Sequence, residues 1–380
     1  MERKAVRSRG AVWTIAAFLA ALWLPLLASL LEPDSTVSRT ENRRLASLPA
    51  IGPSLEDLTS FPSKLDTYFD DHVGFRDWLI RSRAHLMIEW LGVSPSARLI
   101  VGKQGWFFLG NQRAIDQYRG IAHFTPEELE RWRRVLVERR DWLAERGIEY
   151  LVVFVPNKHS AYPGFMPDNL PRTDEESQLS ELLRYLDEHS DLPVLDLRPA
   201  LTRAGHRQRT YHKTDTHWND IGAYAAYEAI LARLAAKLPA LERVPPAPVR
   251  FRRLITPGMG LAELVGLGDV YPEERLMLTL ERPRAAIPAR QRAAHEARVR
   301  KQLPMTLGTR DPSLPRALMF RDSFANALVP YLSESFDQIL YVWERDMNPR
   351  IVEKNKPDVV IQQIVERFLE TRQRGISEFE

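Results

Sequence analysis

The 380-residue sequence contains no cysteine. That absence removes disulfides, thiolate zinc sites, iron–sulfur clusters and cysteine nucleophiles together. It leaves the compartment open, because a thiol-free chain suits either side of a membrane. Charge of one sign is scarce as well: 53 basic against 50 acidic residues give a formal +3, which lends nucleic-acid binding no support. No glycine-rich phosphate loop or dinucleotide fingerprint sits where a strand would feed a helix, and no repeat of about 20–50 residues is present. With 44% apolar and 27% charged residues, disorder is excluded as the main state, and the length is ample for a sizeable core.

Charge is missing altogether from Gly10 to Leu31, GAVWTIAAFLAALWLPLLASLL. At about 1.5 Å per residue such a run crosses the roughly 30 Å hydrocarbon core of a bilayer. Arg3, Lys4, Arg7 and Arg9 precede it, and Glu32 and Asp34 follow. The positive-inside rule then keeps residues 1–9 cytoplasmic and carries everything after the run across the membrane, into the periplasm if the source is bacterial. A cleaved signal peptide is the rival reading; the run is long for one, and no clean A-x-A site follows it. We read residues 10–31 as a transmembrane signal anchor.

Residues 32–60 are polar and proline-bearing and read as a linker. Residues 61–91 are mostly helical in pattern, with the turn-like Gly74 inside, and 99–110 reads as strand, Lys-Gln-Gly turn, strand. Thr125, Pro126 and Glu128 spell a capping box with proline at the first helical position. Leu129, Trp132, Leu136 and Leu143 mark the buried face of that helix, and Gly147 its stop. The apolar runs 150–156, 193–197, 317–320, 338–342 and 358–365 read as short buried strands separated by helical segments. That alternation predicts an α/β sandwich with a mostly parallel sheet. The arginine-rich stretch 281–303 lacks an apolar face and reads as part of a solvated insertion around 245–315.

Two segments carry chemistry. Tyr211 to Asn219 (YHKTDTHWN) precedes a helical run, and Met319-Phe320-Arg321-Asp322-Ser323-Phe324 follows a buried strand and leads into ANALVPYL. A serine at a strand-to-helix turn gains nearby amides that favour a developing oxyanion. It still needs a histidine base oriented by a carboxylate. His217 and Asp215 supply that pair, so the candidate triad is Ser323, His217 and Asp215. Each signal alone is unspecific: Asp-Ser is a common dipeptide, and an Asp-x-His is often a cap. Asn157 and Lys158 follow a predicted strand, where α/β sheets place ligand contacts or ordinary turn hydrogen bonds. Trp218 offers a sugar platform or a packing surface. His212, Asp215 and His217 also form a conceivable zinc set, but no second ligand cluster accompanies them and the serine block favours a metal-free, cofactor-free triad.

Asp215-Thr216-His217-Trp218 and Arg321-Asp322-Ser323-Phe324 resemble the alginate O-acetyltransferase family, the AlgJ/AlgX type of SGNH-like enzymes. Glu41-Asn42-Arg43, Asp71 to Arg76 (DHVGFR), Gly102 to Phe108 (GKQGWFF) and Val155-Pro156-Asn157-Lys158 match its recurring pattern in the same order, from about residue 41 to 368. The resemblance implies an SGNH-like fold over residues 61–380, with the motifs permuted so that the Asp/His block precedes the serine block. It departs from the common SGNH pattern in two places. Arg321 stands where glycine usually precedes Asp-Ser, and Glu366-Arg367 stands where asparagine usually helps bind the oxyanion. Arg367 thereby becomes a candidate for oxyanion or donor binding, and Arg321 adds charge at the serine turn. Only 57 residues follow Ser323, too few for the carbohydrate-binding domain of the AlgX branch, so the anchored AlgJ branch is the nearer comparison.

The resemblance further implies a periplasmic O-acetyltransferase of the inner membrane. It would pass acetyl groups through an acetyl-serine to hydroxyls of an exopolysaccharide. A membrane-bound O-acyltransferase partner would supply the acetyl groups. An acetylesterase of the same fold, or a non-catalytic member of a polysaccharide secretion complex, are the alternatives.

Overall fold

A computed structural model describes residues 9–29, 36–38, 43–173, 176–244, 248–285, 297–298 and 301–379. Residues 1–8, Glu41 and Asn42, most of the arginine-rich stretch 281–303 and part of the expected linker lie outside the described residues. The chain divides into two compact units, Met1–Ser96 with Ala262–Val270, and Ala97–Leu261 with Tyr271–Glu380.

In the first unit α1 covers Arg9–Ser29, and Gly10–Ser29 is long and apolar enough to cross a membrane. Two short strands pair antiparallel, β1 (Val37–Ser38) with β2 (Arg43–Arg44). The helical pattern over 61–91 resolves into α2 (Leu55–His72) and α3 (Arg76–Glu89), broken at Val73–Phe75. Helix α2 starts inside the expected linker because Ser54 accepts the Asp57 amide as its cap. Gly74 is required by close approach: a Cβ there would lie 2.4 Å from the Ala28 Cβ and 2.5 Å from the Pro25 carbonyl oxygen. The expected domain over 61–380 is thus divided, with residues 61–96 in the first unit. Asp71 is buried under Arg43 and accepts the Ala46 amide at 2.7 Å. The Arg43 hydrogen bonds hold its carboxyl far below the usual range.

The second unit opens with an antiparallel pair, β3 (Leu99–Val101) and β4 (Phe107–Leu109), as the sequence predicts. Helices α4 (Gln112–Arg119) and α5 (Pro126–Ala144) follow, and the Thr125/Glu128 capping box starts α5. Then come β5 (Glu149–Val155), the single turn α6 (Lys158–Ala161), α7 (Gln178–His189), β6 (Val194–Asp196), α8 (Arg198–Gly205) and α9 (Asp220–Ala235). The expected insertion contains an antiparallel ribbon, β7 (Val249–Thr256) with β8 (Glu273–Leu280), which its arginines and glutamates conceal in sequence. The chain closes with β9 (Met305–Leu307), β10 (Arg316–Phe320), β11 (Gln338–Val342), α10 (Pro349–Asn355) and β12 (Val359–Val365).

The central sheet runs β6-β5-β12-β10-β11-β9, parallel throughout except for the edge strand β9. Its inner strands are covered on both faces. Along β5, Leu151, Val153 and Val155 enter one core cluster with α9 residues, while Tyr150, Val152 and Phe154 enter a second with α5 and α7 residues. Strand β10 alternates in the same way, with Met319 on one side and Phe320 on the other. This is why the inner strands read as mainly apolar runs. The loops leaving the carboxyl ends of β5, β10, β11 and β12 gather at one edge of the sheet, the usual place for an α/β site.

The first turn of α9 lies against the Thr210–Asn219 segment. A Cβ on Gly222 would sit 2.3 Å from the Thr210 carbonyl oxygen and 3.0 Å from the Trp218 Cβ. Because the nearer obstacle is backbone, Gly222→Ala is expected to cost about 1–3 kcal/mol, seen as a lower urea midpoint; an unchanged midpoint would contradict this packing.

Candidate active site

Strand β10 delivers Arg321, Asp322 and Ser323 to the sheet edge. The expected helix over ANALVPYL is a 3₁₀ turn, Ser323–Ala327, followed by one helical turn, Val329–Leu332. The buried Asp322 caps this turn, accepting the Phe324 amide at 2.9 Å and the Gln363 side-chain amide from β12 at 3.0 Å. Arg321 is fully buried. Its guanidinium stacks 4.4 Å from the Trp343 ring centroid and donates to the Asp322 carbonyl (3.1 Å) and the Asn326 side chain (2.6 Å). Burial lowers its pKa to about 10. Arg321 therefore braces the serine turn from beneath and lines no ligand space.

The Asp/His block comes to the same place across 106 residues. His217 Nε2 lies 2.8 Å from Ser323 Oγ, and Nδ1 lies 2.6 Å from Asp215 Oδ1. Asp215 Oδ1 also accepts the His217 amide at 3.0 Å, and Oδ2 accepts the Gly260 amide at 3.2 Å. Burial alone would raise the Asp215 pKa, but the hydrogen bonds and charge of His217 outweigh it and hold the carboxyl far below the usual range. An ionised Asp215 fixes the proton on Nδ1 and leaves Nε2 free to accept from the serine hydroxyl.

The other sequence candidates lie around this relay in different roles. Trp218 is buried and donates its indole N–H to the Phe324 carbonyl at 2.9 Å, so it packs and offers no sugar platform. Asn157 is buried too: its amide donates to Glu366 (2.7 Å) and its side chain to Gln117 (3.1 Å). Lys158 donates to the carbonyls of Phe107 (2.6 Å), Lys213 (2.7 Å) and Asp215 (2.9 Å), within 5.0 Å of the Trp106 ring centroid. Neither reaches ligand space. Arg367 differs: half-buried, it makes no hydrogen bond or ion pair among the described residues and stacks 5.0 Å from the Phe324 ring centroid. Burial lowers its pKa. Beside Ser323 a cleft of about 510 Å³ is lined by Trp343, Arg345, Asp346, Phe368 and Gln373 among others. Among the described residues no three histidine or carboxylate side chains are grouped to hold a metal ion; His212 faces Glu273 at 3.6 Å.

A family profile described as SGNH hydrolase-like domain, acetyltransferase AlgX, matches residues 99–301, more than half of the chain. The chain belongs to this AlgX-type SGNH-like family. Two probable alginate O-acetylases named AlgJ are similar in sequence. The protein from Pseudomonas syringae pv. tomato is 25% identical over 141 residues, covering 37% of this chain and 34% of that protein. The one from Pseudomonas aeruginosa is 27% identical over 141 residues, covering 37% and 33%. The chain thus spans about a third of the length of these relatives. Bacillus cereus PatB1, solved with a sulfonyl adduct, shares the fold at a TM-score of 0.50 and 16% identity, covering 72% of this chain and 100% of that one. The O-acetyltransferase domain of Pseudomonas putida AlgJ aligns at a TM-score of 0.48 and 18% identity over 74% of this chain and 95% of that one. The family match includes Asp215 and His217 and ends before Ser323, which joins them through the geometry above.

Within this family fold, three groups that support the site went unread in the sequence. Glu273, at the start of β8, is buried and accepts the Lys213 amide (3.1 Å), the Thr214 amide (2.8 Å), the Thr214 hydroxyl (2.7 Å) and Arg209 (3.0 Å). Arg139 on α5 is also buried; it binds Gln362 (3.0 Å), Gln373 (3.1 Å), Asp346 and the Arg374 carbonyl, and so ties down one wall of the cleft. Gln363 holds Asp322. The Gln362-Gln363 pair inside an otherwise apolar strand was the visible signal for two of these contacts.

Burial pushes the Glu273 carboxyl up, but His212, the Thr214 donors and Arg209 outweigh it and bring it from 4.5 down to about 2. A depressed carboxyl contributes stability that is present above its unfolded pKa and lost as pH falls through the folded value. Glu273→Gln is therefore expected to lower stability near neutrality by on the order of 3 kcal/mol. That deficit should close between pH 4.5 and about 2. Denaturant unfolding at several pH values measures it; a deficit independent of pH would contradict the assignment.

Proposed function

We propose that the chain is a membrane-anchored O-acetyltransferase that moves acetyl groups onto polysaccharide hydroxyls through an acetyl-Ser323 intermediate. The observation that carries the proposal is the continuous relay from Asp215 through His217 to Ser323, at 2.6 and 2.8 Å. His217 Nε2 takes the serine proton as Oγ forms a bond to the acetyl carbonyl carbon. The carbonyl electrons move onto oxygen, then return as the donor's leaving oxygen or sulfur departs with the proton from His217. In the second half an acceptor hydroxyl gives its proton to His217 while its oxygen attacks the acetyl-serine. Ser323 Oγ leaves and recovers that proton.

The oxyanion of each half-reaction needs donors. The Phe324 amide is engaged by Asp322, whereas the Arg367 guanidinium makes no hydrogen bond or ion pair among the described residues and stacks on the Phe324 and Phe368 rings next to the nucleophile. Arg367 is thus the donor we assign to the oxyanion. The names of the AlgJ relatives support a polysaccharide acceptor. Helix α1 supports a single-pass anchor, with the N-terminus cytoplasmic and the catalytic unit periplasmic. Because acetyl-CoA is not expected in that compartment, the acetyl group would arrive from a membrane-bound O-acyltransferase partner.

Ser323→Ala should abolish transfer from a simple acetyl ester to an oligosaccharide, and the acetyl group expected on this serine by mass spectrometry of the wild type should be absent from the variant. Asp215→Asn should reduce turnover by about 10⁴-fold. Full transfer by the Ser323→Ala protein would overturn the mechanism, and acetate release unaffected by acceptor would assign the site to an esterase instead. Arg367→Gln is expected to lower kcat by about 10²–10³-fold, with partial recovery in Arg367→Lys. An unchanged kcat would remove Arg367 from the oxyanion site.

A further inference from the structure

Helix α3 is apolar on two sides. One side carries Ala84 and Ile88, which are buried. The other carries Trp78, Leu79 and Leu86 and is continued by Trp90 at the C-cap, exposed by 65, 45, 49 and 80%. At about 100° per residue these four fall within an arc of about 120°, a stripe running the length of the helix. Ser82 and Glu89 also fall inside that arc, but a surface helix ordinarily presents mainly charged residues on that side, and four large exposed apolar side chains on one face mark a second environment. Two tryptophans in one short stripe narrow the choice, because their amphipathic rings favour the boundary between hydrocarbon and headgroups. Arg83, exposed at the border of the stripe, has no ion pair among the described residues and can extend its charge toward phosphates.

The position of α3 within its own unit says what covers the stripe. The turn before it, at Gly74, donates its amide to the Pro25 carbonyl (3.2 Å) and the Ser29 hydroxyl (2.8 Å), and packs on Ala28. These residues form the last turn of α1. The 20 residues Gly10–Ser29 rise about 30 Å, the thickness of the hydrocarbon core. The last turn of α1 therefore lies where the span leaves the hydrocarbon, and α3 begins two residues after the glycine that touches it. We propose that α3 is an interfacial helix. It lies in the plane of the membrane that holds α1, with Trp78, Leu79, Leu86 and Trp90 turned toward the acyl chains and Arg83 toward the headgroups. This inference rests on reading α1 as a membrane anchor, and it makes the membrane a structural partner of the first unit at a second, noncovalent contact.

The absence of cysteine supplies the test. Single-cysteine variants of the full chain, Leu19→Cys in α1, Trp78→Cys and Leu86→Cys in α3, and the exposed Asp187→Cys as a control, are spin-labelled and reconstituted into phosphatidylethanolamine–phosphatidylglycerol vesicles. Relaxation by oxygen and by a water-soluble nickel chelate then reports the depth of each label. The expected result is a label at 19 deep in hydrocarbon and a chelate-accessible label at 187. Labels at 78 and 86 should lose chelate access, respond to oxygen and sit shallower than 19. If 78 and 86 are as chelate-accessible as 187 while 19 is in lipid, the interfacial helix is overturned and the anchor stands. If 78 and 86 are shielded from both reagents, protein covers the stripe, a second copy in so simple a system, and the inference is likewise overturned. A chelate-accessible label at 19 overturns the anchor and the inference with it. Two positions on the stripe guard against one label disturbing the helix.

Discussion

The segment Thr210–Asn219 has no helix or paired strand of its own beyond one bridge between Tyr211 and Trp218, yet it must hold Asp215 and His217 to within a few tenths of an ångström of a serine from another part of the chain. Two buried charges impose its shape. Lys158 gathers the carbonyls of Lys213 and Asp215 together with that of Phe107, and Glu273 gathers the amides of Lys213 and Thr214. One charge thus takes the acceptors of the turn and the other its donors. Burial draws the Lys158 pKa well below the ordinary lysine value, but three carbonyls matched to three N–H donors hold the protonated form. An irregular backbone that would otherwise bury unpaired polar groups is made specific by the two ions that satisfy it.

The serine side uses the opposite strategy. Ser323 is positioned by the sheet, since β10 is hydrogen-bonded between β11 and β12 and covered on both faces. The polar groups added to this apolar frame are few: Gln363 restrains Asp322, Arg321 stacks on Trp343 and braces Asn326, and Trp218 donates to the carbonyl of Phe324. The last contact links the two halves of the site directly, because Trp218 is the neighbour of His217 and Phe324 the neighbour of Ser323. Loss of packing at either residue would displace both His217 and Ser323.

Much of this was legible in the sequence. All five apolar runs are strands of the sheet, and the inner ones were plain because strands buried on both faces cannot hide their composition. The ordered motifs brought Asp215, His217 and Ser323 forward as one set. Glu273 and Arg139 were not legible, because a charged residue in an amphipathic strand or helix looks solvated until its partners are known. For Lys158, Asn157 and Trp218 the sequence left ligand contact and internal packing both open, and the fold uses them as internal fasteners. Strand β9 escaped notice because three edge residues carry too little periodicity. The start of α2 was hidden in a polar stretch whose Ser54 cap is a weaker signal than the box at Thr125.

On the proposed mechanism, whether an acetyl-Ser323 would transfer or hydrolyse depends on what meets it. Bulk water always competes, so a sugar hydroxyl prevails only when it is bound in attacking geometry, where effective molarities reach about 10⁵–10⁸ M. On that mechanism a surface placed to impose the geometry is the cleft beside Ser323, and part of its wall is tied down from within. Arg139 holds Asp346, Gln373 and the Arg374 carbonyl from the interior, while Arg345 and Trp343 face the open side. A rigid polar wall with an aromatic flank is suited to orient a sugar ring, stacking one face and fixing its hydroxyls by direction. On the proposed mechanism, choice between water and sugar would rest on Arg139 and its partners rather than on Asp215, His217 and Ser323, which would treat both nucleophiles alike.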